Sequence, residues 1–179
     1  MNARLFPLLL VGALVTGRGA WAQGPSPDLK AALAPLGRFA GKWEKRFTVY
    51  KSEWAPTEQT KTGTHSCQWI LGGAHLQETG RDSDGATYLS VCSYDEAARA
   101  YRLTAFQSNG STWQMSGRWD AGSNTFTWSR ELADGVRMTA TYQLVKPDEL
   151  KFSYVAKNGA GKVYFRLEGT GRRVEAGGK

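Results

Sequence analysis

The sequence predicts an all-β fold, a closed up-and-down antiparallel barrel of about ten strands behind a short N-terminal helical segment. Three observations carry this. From Gly41 onward, short runs rich in Val, Thr, Tyr, Trp and Phe recur at intervals of about ten residues, the spacing of a barrel or sandwich and not of a βαβ chain. Turn pairs separate the runs: Gly72-Gly73, Asp84-Gly85, Asn109-Gly110, Ala121-Gly122, Asp134-Gly135, Pro147-Asp148 and Asn158-Gly159. Alternation within the runs yields one apolar and one wet face. Hairpin-linked strands with a single apolar face close most economically into a barrel, which removes the unpaired edges; a two-sheet sandwich is the alternative.

The chain has 179 residues and a net charge of +7. Residues 1–22 read as an export signal, with Arg4 near the start, an 11-residue apolar run from Leu5 to Val15, and Ala20-Trp21-Ala22 before the expected cut. The run is shorter than the roughly 17 to 25 residues of a membrane span, and no later segment qualifies, so no membrane insertion is expected. No cysteine stands at the cut to carry a lipid. Losing 22 of 179 residues, with Arg4 and Arg18, leaves a 157-residue chain of charge +5, periplasmic or secreted and of single-domain size. Without a run of five or six Lys/Arg, no nucleic-acid partner is expected.

Residues 23–40 form a lead-in whose apolar stretch, Leu29 to Phe39, is expected to make one or two helical turns. The barrel is expected over 41–173 and a flexible tail over 174–179. Its strands fall near 42–50, 61–71, 74–80, 86–94, 99–107, 111–119, 124–131, 135–145, 149–157 and 162–170. The apolar face collects Trp43, Phe47, Val49, Leu103, Trp113, Met115, Phe126, Trp128, Val136, Met138, Tyr142, Leu144, Leu150, Phe152, Tyr154, Val163, Phe165 and Leu167. The wet face collects Glu44, Arg46, Arg102, Gln114, Arg118, Arg137, Gln143, Lys151 and Arg166.

Gly41-Lys42-Trp43 opens the first strand and Gly171-Arg172-Arg173 closes the last. This arrangement resembles the lipocalin-like (calycin) superfamily, which implies a clasp of Gly41, Trp43 and Arg173 with the basic residue over the indole. By parity Arg173 shares the face of Phe165 and Leu167. More of the chain, roughly 33–173, resembles the bacterial domain-of-unknown-function family 1579. That likeness rests on Leu36 to Trp43, Ile70-Leu71-Gly72-Gly73, Ser93-Tyr94-Asp95, Gly117-Arg118-Trp119-Asp120 and Arg172-Arg173. It implies the fold and brings no activity.

No CxxC, HExxH, Walker loop or GxSxG is present, and two histidines are too few for a rich metal site. A hairpin at Gly72-Gly73 pairs Trp69 with Leu76 and Cys67 with Glu78. His65, Cys67, Trp69, Leu76 and Glu78 then face inward and His75 outward. His65 reads as a rim histidine. Its alternative role is a haem ligand, as in ten-stranded barrels of the nitrobindin type, although no histidine stands in the last strands, where that resemblance places one. A hairpin at Asp82 to Gly85 that keeps apolar partners together would send Leu89 and Val91 inward and Cys92 outward, leaving both cysteines free.

Large inward side chains, Trp43, Trp69, Trp113, Met115, Trp128, Met138, Phe152 and Phe165, are the candidates to line a ligand cavity, with Lys45, Glu78 or Arg130 as polar anchors. Small inward residues, Gly117, Ala105, Ala140, Ala156 and Gly169, are expected to open space toward one mouth. The leading expectation is an exported carrier or sensor of a small apolar or amphipathic ligand. An enzyme is the second reading, favoured if two of the three polar anchors lie within hydrogen-bond reach of each other in the pocket. A non-catalytic interaction domain is the third, with Trp54 and Trp119 contributing an exposed apolar patch.

Overall fold

The computed structural model describes residues 26–174. The expected leader (1–22), residues 23–25 and the tail residues 175–179 lie outside them. A single helix, α1 (Pro27–Gly37), precedes ten strands: β1 (Gly41–Val49), β2 (Gln59–Ile70), β3 (His75–Asp82), β4 (Thr87–Asp95), β5 (Ala100–Gln107), β6 (Thr112–Asp120), β7 (Thr125–Glu131), β8 (Arg137–Lys146), β9 (Glu149–Lys157) and β10 (Val163–Val174). Each strand pairs antiparallel with its neighbours in sequence, and β10 returns to pair with β1, from Lys42 opposite Val174 to Val49 opposite Leu167. This closure excludes the sandwich. No helix among the described residues is long and apolar enough to cross a membrane.

Helix α1 starts where its residues dictate. Ser26 accepts the Leu29 N–H at 3.1 Å, Pro27 occupies the first turn, where its missing donor costs nothing, and Asp28 faces the positive helix end. It buries Leu33 and Leu36 against the barrel, and the Tyr101 hydroxyl donates to the Ala32 carbonyl at 2.6 Å. The helix, Phe39 and the Trp43 indole therefore plug one end of the barrel. The Trp43 Nε1–H donates to the Phe39 carbonyl at 2.8 Å, so this indole is buried with its donor satisfied.

Two registers differ from expectation. The β3–β4 hairpin pairs Leu76 with Cys92 and Glu78 with Ser90, which turns Tyr88, Ser90 and Cys92 inward and Leu89 and Val91 outward. The turn chooses: Gly85 N–H bonds the Asp82 carbonyl and Asp82 N–H the Ala86 carbonyl, each at 2.9 Å, and this closure fixes the register by one residue against the apolar pattern. Cys92 is thus buried on the same face as Cys67. Both thiols are free, with β3 between them and a Cα separation on the order of 10 Å or more from the strand spacing alone. In β10 an irregularity between Val163 and Phe165 puts Val163 opposite Lys157 on the outer face, 43% exposed, instead of on the inner one.

The small inward residues mostly seat rings. A Cβ on Gly117 would lie 2.3 Å from the Trp128 ring, one on Gly169 2.4 Å from the Phe152 ring, and one on Gly80 2.3 Å from the Tyr88 ring. Ala140 and Ala156 are fully packed. Of the five small residues expected to open space, only Ala105 borders it.

Candidate functional site

At the end opposite α1 the barrel holds a cavity of about 710 Å³. Strand parity delivers its wall: Leu103 and Ala105 from β5, Trp113 from β6, Met138 from β8, Phe152 from β9, Phe165 and Leu167 from β10. The rim is polar, with Gln107, Asn109, Ser111 and Thr112, and is overhung by Trp54 from the β1–β2 connection. That connection is tied down by the Trp54 N–H to the Tyr164 carbonyl at 3.0 Å, ring packing of Trp54 on Tyr164 at 5.5 Å, and a Lys162–Glu53 ion pair at 2.6 Å.

The eight predicted lining residues therefore divide. Trp113, Met138, Phe152 and Phe165 line the cavity. Trp43, Met115 and Trp128 are buried in the closed half, where the Tyr101, Phe126 and Trp128 rings pack at 4.8 and 5.3 Å. Trp69 is 37% exposed and lies against α1, 3.3 Å from where a Cβ on Gly37 would sit. Parity gives the side of the sheet and leaves the height along the barrel open, and the lead-in helix decides which end is filled. The exposed patch expected of Trp54 and Trp119 is split between opposite ends. Trp119 is half-buried on Phe39 and Phe126, under the Arg38 guanidinium.

All three predicted polar anchors border the cavity. Lys45 Nζ lies 2.8 Å from the Asp82 carboxylate and donates to the Tyr88 hydroxyl at 3.3 Å, and Tyr88 donates to Glu78 at 2.6 Å. His65 continues the series, its Nδ1 4.0 Å from Glu78 and its ring stacked on Trp43. Burial holds the His65 pKa below its ordinary 6.5, with Lys45 adding to the lowering and Glu78 opposing it. Burial first, then the Glu78 charge, pushes the Tyr88 hydroxyl far up, so it stays a neutral donor. Tyr142 and Tyr154 bond hydroxyl to hydroxyl on the facing wall, both raised chiefly by burial. Asp82, Tyr88, Tyr142 and Tyr154 were not singled out in the sequence. Tyr142 and Tyr154 counted as apolar, and Tyr88 and Asp82 lie on the strands flanking the hairpin whose register the pattern missed.

Arg130, on β7 across the barrel from β3, sits differently. Its guanidinium lies 5.5 Å over the Trp113 ring, and its Nε is shut off from solvent without a hydrogen-bond partner among the described residues.

The ends of the barrel are joined at the closed end. The Arg173 guanidinium lies 4.3 Å over the Trp43 ring and donates to the Ala40 carbonyl, to Arg38 at 2.7 Å and to Pro147 at 3.2 and 3.1 Å. Gly41 has φ +120°, a conformation that favours glycine, and a Cβ there would stand 2.7 Å from this guanidinium and push it off its seat.

A family model described as "Protein of unknown function (DUF1579)" matches residues 30–173, from the middle of α1 to the clasp arginine. The chain belongs to this family. No curated protein matches it. Among solved structures, that of Rv2717c from M. tuberculosis is similar over 83% of this chain and 100% of its own, at 16% identity and a TM-score of 0.61. An S-type phycobiliprotein lyase, CPES from Guillardia theta, is similar over 85% of this chain and 99% of its own, at 12% identity and a TM-score of 0.56. A protein of unknown function from the DUF3598 family of Nostoc punctiforme PCC 73102 is similar over 78% of this chain and 49% of its own, again at 12% and 0.56. At these identities the likeness is one of fold.

Proposed function

We propose that this protein binds one small amphipathic molecule inside the open half of its barrel. The carrying observation is the cavity itself: about 710 Å³, within the ~300 to 1,000 Å³ range of small-molecule sites, with an aromatic and aliphatic wall, a polar rim and a set of charged groups at fixed positions. The clasp of Gly41, Trp43 and Arg173 supports a place among the lipocalin-like barrels, and the leader-like residues 1–22 support a periplasmic or secreted carrier or sensor. Trp113 in the wall and Trp54 at the rim report on occupancy. Titration with a fatty acid or a hydrophobic dye is expected to quench or blue-shift tryptophan emission. Unchanged emission at saturating probe, with no small molecule retained by the protein purified from its host, would overturn the proposal.

A second reading has its own observation: Glu78 and Lys45 both bond the Tyr88 hydroxyl within the cavity, which is the arrangement an acid–base site needs. The groups are already spent on one another, since Lys45 faces Asp82 and Tyr88 donates to Glu78, and this favours a structural polar belt. The test is whether a retained molecule changes chemically on incubation and whether Glu78→Gln stops the change.

A further inference from the structure

The cavity is electrically two-sided. Its acidic wall belongs to β3, where Glu78 and Asp82 face Tyr88 and Lys45. Its basic point is Arg130 on β7, four strands away in a ring of ten. Lys45 is paired with Asp82, but Arg130 takes part in no ion pair among the described residues. The half-buried guanidinium lies against an indole with its Nε shut off from solvent and unpartnered, so ring contact offsets only part of the desolvation cost, and burial draws its pKa down. The planar fork of an arginine matches the two oxygens of a carboxylate, and Trp113 fixes the plane of that fork.

We infer that Arg130 is the anchor for a carboxylate or similar oxyanion, and that the ligand is an amphipathic acid with its apolar body against Trp113, Met138 and Phe165 and its head turned away from Glu78 and Asp82. This rests on the cavity-binding reading and adds the ligand's charge and orientation. An apolar body alone would leave Arg130 unpaired, and an ammonium head would be repelled by it.

The test compares decanoate, decanol and decylamine as probes at neutral pH, by tryptophan emission and calorimetry, on the wild type, Arg130→Gln and Arg130→Lys. Decanoate is expected to bind the wild type about tenfold or more tighter than decanol, as a charged hydrogen bond implies. Arg130→Gln should erase that preference while leaving decanol affinity in place, and Arg130→Lys should retain part of it. Equal affinity for the three probes in the wild type overturns this inference alone, as does a preference for decylamine or an acid preference that survives in Arg130→Gln. Should the glutamine variant not fold, the wild-type ranking still decides. Binding of none of the probes overturns the cavity reading itself.

Discussion

The two ends of the barrel are made by the same alternation of inward and outward residues, yet one is full and the other hollow. At the α1 end, Trp43, Phe126 and Trp128 interleave with Leu33, Leu36 and Phe39, and Trp128 lies over a glycine that leaves it room. At the mouth, aromatic residues stand no less close in sequence, but no helix enters, and Arg130 and the Glu78–Tyr88–Lys45 belt occupy inward positions. An aromatic inner face is thus insufficient to fill a ten-stranded barrel. The closed end is dense because a segment outside the sheet supplies the missing volume, and the open end, which no such segment enters, keeps its volume as a cavity.

If that division is right, the largest effect comes from the closed end. Trp43→Ala is expected to lower stability by about 3 to 5 kcal/mol in denaturant unfolding, and a loss below about 1 kcal/mol would mean that the plug is not the core. Gly117→Ala forces the Trp128 ring aside and should cost about 1 to 3 kcal/mol by overpacking; thermal melting measures it. Arg173→Ala should cost less than Trp43→Ala, about 0.5 to 2 kcal/mol, since it loses stacking and carbonyl bonds at the surface and leaves the indole in place.

The boundary between the ends is His65, and its prediction is one of pH. Because the fold holds its pKa below the ordinary 6.5, the unfolded chain binds the proton first as pH falls. Its contribution to stability is therefore complete above 6.5 and is lost below it, down to the lowered folded value, with a slope of at most ~1.4 kcal/mol per pH unit. His65→Phe, which keeps a ring on Trp43, should flatten the midpoint-versus-pH curve below pH 6.5; an unchanged slope would place the titrating group elsewhere. The smallest effect belongs to the mouth. Trp54→Ala, 47% exposed, should change stability by no more than about 0.5 kcal/mol while altering the emission response to a hydrophobic probe.

Much of this was legible in residues. Turn pairs and periodicity located all ten strands, and parity put Lys45, Glu78 and Arg130 on the inner side, where the structure has them at the cavity. Where inner and outer faces were exchanged, the register shifts by one residue. Leu89 and Val91 look like core and Ser90 like surface, but the Asp82–Ala86 turn closes with a geometry that reverses them, and Tyr88 then gains Glu78 and Lys45 as partners. Val163 was displaced by a local irregularity of one residue, which alternation does not encode.

By itself, then, the sequence determined the number and order of the strands and, outside β4 and the start of β10, the side of the sheet on which the strand residues fall, because these follow from local chain geometry and a two-residue period. Only the tertiary structure decided which end of the barrel is filled, which inward charges meet and which stays unpaired. Those depend on the helix docked from outside the sheet and on side-chain contacts between strands, some neighbouring, such as Trp113 beneath Arg130, and some well separated in the ring, such as Lys45 beside Tyr88. Depth along a barrel is a property of closure, and no single strand contains it.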